Sequence, residues 1–297
     1  MGGAKPTKIE SETFIKRIVK MQRKRKKLFC EIHPICYEIS LQKEIFKRHL
    51  KDLLSSEKFA SRVEKEKLPN IVASEQSNMI KRGEGIDIRT QENKLHNIIL
   101  ACSKMNGMTI YPGEVFSFWR TIKKATKRRG YKAGRILHQN KLTTGIGGGL
   151  CNLANTIHLL VLHSPLEVIE FHHHSDALAP DEGERVPFTA GTSVFYNYVD
   201  YRFKNNTNQT IQLFLWCEGE DLHAELRSES GFPCRCQLVE ENHHFRKEGD
   251  KYYRISQIYQ ESIDHLTGEI LDKKLVLDNR SEVLFDYALI PKEQIKS

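Results

Sequence analysis

The sequence predicts an α+β fold: a helical N-terminal part followed by a mixed or antiparallel sheet, with a Gly-rich loop leading into a central helix. Apolar residues recur at helical spacing in LQKEIFKRHLKDLLSSE (41–57) and QENKLHNIILACSKMNG (91–107). Short runs rich in β-branched and aromatic residues follow residue 166. Helices come first and strands later, without the alternating rhythm that builds a parallel sheet.

The N-terminal element is basic. Residues 1–60 carry 15 Lys and Arg against 7 Asp and Glu, so the net charge of +8 lies there and the rest of the chain is balanced. Within it, IKRIVKMQRKRKKLF (15–29) reads as a basic helix suited to an anionic membrane surface. No nucleic-acid-binding motif accompanies the charge, so no nucleic acid partner is expected. Residues 61–90 are polar and irregular and read as a connector. In 91–107 the stripe Leu95, Ile98, Ile99 and Cys102 marks a helix, with Gly107 at its stop. YPGE (111–114) signals a turn into VFSFW. A helix from Leu150 to Leu162 is stopped by Ser164-Pro165. Strands are expected in LEVIEFHHH, SVFYNYVDYRFKN, QTIQLFLWCEG, DLHAELRSE, KYYRISQIYQESI and EILDKKLVL. The expected division is 1–60 helical segment, 61–90 connector, 91–230 main domain, and 231–297 a β-rich extension packed on it.

Composition bounds the class. At 297 residues, with 39% hydrophobic and 28% charged residues, the chain reads as a soluble globular protein. No apolar run approaches the roughly 20 residues that span a bilayer, and no apolar leader precedes a cleavage site. A cytoplasmic location is expected, peripheral at the inner membrane face. Seven scattered cysteines do not make a disulfide framework, so reduced thiols are expected. CEIHPIC (30–36) and CRC (234–236) lack the paired spacing of structural zinc sites, and neither a metal nor a cofactor is expected.

The chemistry concentrates in GIGGGLCN (145–152). Gly147, Gly148 and Gly149 allow close backbone approach, and Cys151 falls in the first turn of the following helix. There the helix dipole and unpaired N–H groups favour a thiolate and can hold an oxyanion. The same residues also suit a tight turn around an inert thiol, or a grip on phosphate. His158 shares a helix face with Cys151 but lies about 10 Å along the axis. On a strand, His172 and His174 point to one face and His173 to the other. Cys plus His is a nucleophile–base pair, and Cys plus two His is a zinc set.

Four stretches carry a resemblance: ENKLHNIILACSKMNGMTIYPGEVFSFWR (92–120), LTTGIGGGLCNLAN (142–155), HSPLEVIEFHHH (163–174) and VFYNYVDYRFKNNT (194–207). Together they resemble the VanW family, with GGG-x-C and PGE-x-FSF as the specific pieces. The resemblance implies a cell-envelope protein connected with glycopeptide (vancomycin) resistance. It also implies a cysteine-dependent acyl transferase of the L,D-transpeptidase kind, acting on peptidoglycan peptides. Cys151 would be the nucleophile and His174, with His172 beside it, would move protons. Gly147, Gly148, Gly149, Asn152, Asp200 and Asn206 would bind substrate or the oxyanion. Two positions depart from the family pattern. Asn152 replaces a glutamine, and Gly191-Thr192-Ser193 replaces an Asp-Ala-Thr triplet, so Asp176, Asp181 or Asp200 would have to supply its acidic group. The alternatives are an accessory protein that binds an anionic cell-wall precursor without catalysis, and a Cys/His zinc protein.

Overall fold

The computed structural model describes residues 28–296 apart from 84–85, 139–140, 175, 178–179 and 181–190. The basic stretch 15–29 therefore falls almost wholly outside the described residues, as does Asp181. The chain divides into two compact units, Met1–Leu54 and Ser55–Ser297. The described part of the first holds α1 (Phe29–Ile32) and α2 (Pro34–Leu54).

The second unit begins with strands β1 (Lys58–Phe59), β2 (Arg62–Val63) and β3 (Asn70–Asn78), then α3 (Ile88–Cys102). Next come β4 (Met108–Ile110), β5 (Glu114–Ser117), α4 (Phe118–Ile122), β6 (Ala133–His138) and β7 (Lys141–Ile146). The central helix α5 (Leu150–Leu162) follows, then β8 (Glu167–Glu170), β9 (Asp176–Ala177) and β10 (Arg202–Lys204). The chain continues through β11 (Ile211–Glu218), β12 (Asp221–Ser228), β13 (Cys234–Glu248), β14 (Lys251–Asp264), β15 (Ile270–Val283) and β16 (Ile295–Lys296). The α+β class is as expected.

These strands form sheets ordered β1-β5-β10-β8, β2-β4-β11-β12-β3 and β16-β13-β14-β15-β9, with β6-β7 a separate hairpin. The stretch expected as a connector contains β3, which pairs antiparallel with β12 from Asn70 to Asn78. Its alternating, half-exposed pattern is that of an edge strand with one wet face. SVFYNYVDYRFKN is not one strand either. It folds back at Phe195–Val199 before β10 begins.

The core gathers around α3 and α5. Helix α5 is buried on nearly every side, as expected for a helix apolar all round. It rests on β3 and β12, and α3 rests on β11 and β6. Ile98, Met105, Leu153, Ile157, Leu213 and Phe203 are all completely buried in this one cluster. Phe116 on β5 and Phe203 on β10 stack with centroids 4.9 Å apart, which joins the four-stranded sheet to it. Helix α5 stops where Ser164-Pro165 removes the next N–H, and Gln260 Nε2 on β14 donates to Leu162 O at 2.7 Å.

Candidate functional site

The glycine turn is built by close packing against the protein itself. Gly149 is the N-cap of α5 with φ of 101°, a left-handed conformation that side chains disfavour. Gly148 lies against the backbone of Gly134 on β6, where a β-carbon would come within 2.3 Å of the Gly134 carbonyl carbon. Gly147 faces Ala125, and a β-carbon there would approach Ala125 Cβ to 2.8 Å. Asn97 on α3 locks the turn: its Nδ2 donates to Gly148 O (2.9 Å) and Lys132 O (3.0 Å), and its Oδ1 accepts from Lys132 N. Gly148 N–H is given to Gly145 O and Leu150 N–H to Gly147 O. These two donors of the 148–151 stretch are thus occupied within the turn.

Cys151 is the second residue of α5, in its first turn. Its Sγ donates to Val194 O at 3.7 Å. Burial pushes the thiol pKa up rather than down. The residue keeps some exposed surface, and its burial outweighs the opposing pull of the backbone groups of Val194 and Cys151.

One turn further along the same face, Asn155 Oδ1 accepts from the Thr192 hydroxyl (2.8 Å) and Thr192 N (3.2 Å). Thr192 pairs with His173 in an antiparallel bridge flanked by His174 N to Gly191 O and Ser193 N to His172 O. Directly opposed residues of an antiparallel pair share a face, so His173 lies on the α5 side with Thr192. Phe171, two residues before it, confirms the direction by stacking on His158 of α5 with ring centroids 4.1 Å apart. His158 Nδ1 also meets the Tyr201 hydroxyl at 3.2 Å, and burial drives the pKa of this imidazole down to about 3. It is neutral at any physiological pH.

The remaining expected site residues are spread around this centre. His172 is exposed, with Nε2 3.2 Å from Glu170 Oε1. His174 is partly buried, and burial pulls its pKa down while Asp176 pulls it up. Asn152 follows Cys151 in the helix, with its N–H given to Gly149 O. Asp200 has no exposed surface. Its carboxylate accepts from Ser117 Oγ (2.5 Å), Trp119 N (3.0 Å), Tyr201 N (2.9 Å) and Arg202 Nε (2.7 Å), which ties the start of α4 to β10. Burial raises its pKa against the opposing pull of Arg202 and these donors. Asn206 is exposed and its Nδ2 meets Glu167 Oε2. Its neighbour Asn205 is buried and bonds Ile110 O and Gln209 O, both at 2.9 Å, while its N–H goes to Glu114 O. The PGE and KNNT pieces are therefore packed on each other, away from the thiol's hydrogen-bond partners.

Sequence reasoning passed over Asn155 and the inward direction of His173, and it read Thr192 only as part of the triplet that departs from the family pattern. Asn155 and His158 were visible as polar residues four and seven positions after Cys151 on an apolar helix. The face taken by His173 was not, because Thr192, nineteen residues on in the chain, sets it. Among the described residues there is no group of three or more His, Cys, Asp or Glu placed to hold a metal ion. Nor, among them, is any helix long and apolar enough to cross a membrane.

Fold and site together define an α+β domain in which a sealed glycine turn delivers a cysteine into the first turn of a buried helix, and in which His173, on a segment after β8, faces the same helix. Residues 93–227 match the family model described as VanW like protein, so this stretch is VanW-like. It is 26% identical over 227 residues to the Vancomycin B-type resistance protein VanW of Enterococcus faecalis, covering 76% of this chain and 82% of that one. It is 28% identical over 122 residues to the uncharacterized protein YoaR of Bacillus subtilis, covering 41% of this chain and 39% of that one. No solved structure matches.

Proposed function

We propose that this chain is a VanW-type accessory protein of the cell envelope, connected with glycopeptide resistance, which binds an anionic peptidoglycan precursor and forms no covalent intermediate. The name of the E. faecalis relative supports the link to resistance. The observation that carries the non-covalent role is the state of Cys151: a thiol with its proton directed at Val194 O and its pKa raised by burial. A nucleophile needs the opposite shift or a base on the sulfur. The glycines support the same reading, since each of the three has its close approach to protein rather than to an open groove. The basic stretch 15–29 would hold the protein at an anionic membrane surface.

One observation favours a second reading. His173 lies on the α5 side and burial lowers its pKa, so it is neutral near pH 7 and fit to accept a proton. In an acyl transfer Cys151 would lose its proton to that imidazole and attack a carbonyl carbon. The tetrahedral intermediate would collapse to a thioester by breaking its C–N bond, the departing amine taking the proton from the imidazolium, and a second amine would then take the acyl group and restore the thiol. Gly149 and Cys151 N–H groups would hold the oxyanion.

Titration with a soluble peptidoglycan precursor, followed by intact-mass measurement, separates the two. Saturable binding by wild type and Cys151→Ser alike, with no mass added, is the expected result. An acyl adduct on Cys151 would overturn the accessory role, and absence of binding would remove both readings.

A further inference from the structure

The start of α5 has a second neighbour that the thiol does not involve. Lys94 on α3 is only 8% exposed. Its stem covers the N-cap of α5: a β-carbon on Gly149 would meet Lys94 Cγ at 2.5 Å. Among the described residues its ammonium has no hydrogen bond or ion pair, and the groups that act on it electrostatically are Lys81 and Arg135, both cations. Those two side chains are exposed and likewise have no carboxylate partner among the described residues. The buried amide of Gln91 fixes Lys81 beside α3 by accepting its backbone N–H at 3.3 Å. Burial and the two like charges pull the Lys94 pKa down to about 8, so it still carries most of its charge at neutral pH.

A buried ammonium surrounded by its own sign is costly unless an anion completes the group. The N-terminus of a thirteen-residue helix adds a further positive end at the same place. We infer that Lys94, Lys81 and Arg135, with the N-terminus of α5, form a binding site for a phosphate-bearing group. Three cations and a helix dipole exceed what one carboxylate balances, and they match a phosphate or diphosphate. The site gives the accessory role a ligand chemistry and rests on that reading only for its biological purpose. Its binding does not use the thiol. The phosphate has two sources, a soluble diphosphate compound or a phospholipid headgroup.

The test uses the full chain with two probes: inorganic pyrophosphate by calorimetry, and phosphatidylglycerol vesicles by co-sedimentation. Lys94→Met keeps the stem over Gly149 and removes the charge. Pyrophosphate should bind saturably, with affinity reduced about tenfold or more in Lys94→Met and unchanged in Cys151→Ser. Vesicle binding that depends on Lys94, without pyrophosphate binding, assigns the site to a lipid headgroup and equally supports it. No saturable binding of either probe, or binding that Lys94→Met leaves intact, overturns the site. Arg135→Gln, at an exposed position, should weaken binding several-fold and keeps the test decisive if Lys94→Met fails to fold. An acyl adduct on Cys151 would end the accessory reading and leave these outcomes untouched, so the two can fail separately.

Discussion

At the scale of the residue, Lys94 and Cys151 obey the same rule: burial disfavours the charged form. Lys94 has a pKa of about 8 in the folded chain against 10.5 for an ordinary lysine. Between those values the unfolded chain binds more protons, so stability rises with pH through that window, and the whole penalty is present below it. Its size is on the order of 3 kcal/mol at neutral pH. Lys94→Met should therefore be the more stable protein at pH 7 in phosphate-free buffer, with the advantage shrinking toward pH 10.5. Urea midpoints of the two proteins measured across this range check it. At this scale the sequence was partly readable. Cys151 stands in the first turn of the helix, as its position after the glycines predicts. The cost of its burial was not readable, because Val194 reaches the sulfur from forty-three residues away.

At the scale of the element, local punctuation decided what could be foreseen. Helix Leu150–Leu162 has the bounds that the glycine run and Ser164-Pro165 predict. Helix α3 ends at Cys102 rather than Gly107, because residues 103–107 form a separate turn. Strand β3 was hidden in a polar stretch, since an edge strand with one wet face shows little apolar patterning. Strand β13 was hidden because its residues are mostly half-buried, so apolar and polar positions do not alternate along it. The parity of the three histidines was readable, but which face meets the helix depended on the pairing of His173 with Thr192. The glycine turn offers a test at this scale. Gly148→Ala drives a β-carbon into the Gly134 backbone, whereas Gly231 has nothing within 4 Å. We expect Gly148→Ala to cost about 3 kcal/mol or more, and Gly231→Ala to stay within about 0.5 kcal/mol. Thermal or urea unfolding of both variants reads the difference.

At the scale of the whole molecule, the motif-bearing pieces of the VanW-like region serve several ends at once. PGEVFS and FKNN interlock through Asn205, and Asp200 binds α4 to β10. The glycine turn joins α3, β6 and α5 through Asn97. Much of what looks like a catalytic signature in the sequence is thereby the means of assembling one core. The ligand site we infer lies at the start of α5, where Lys94, Lys81 and Arg135 have no acidic partner among the described residues. On the function proposed above, Cys151 is a structural thiol in a protein that binds without covalent chemistry. The most direct measurement is the rate of alkylation of Cys151 in the native protein against pH, resolved from the other thiols by mass spectrometry. A midpoint above the ordinary thiol value of about 8.5 is expected. A midpoint well below it would mean an activated thiolate, and would contradict the claim.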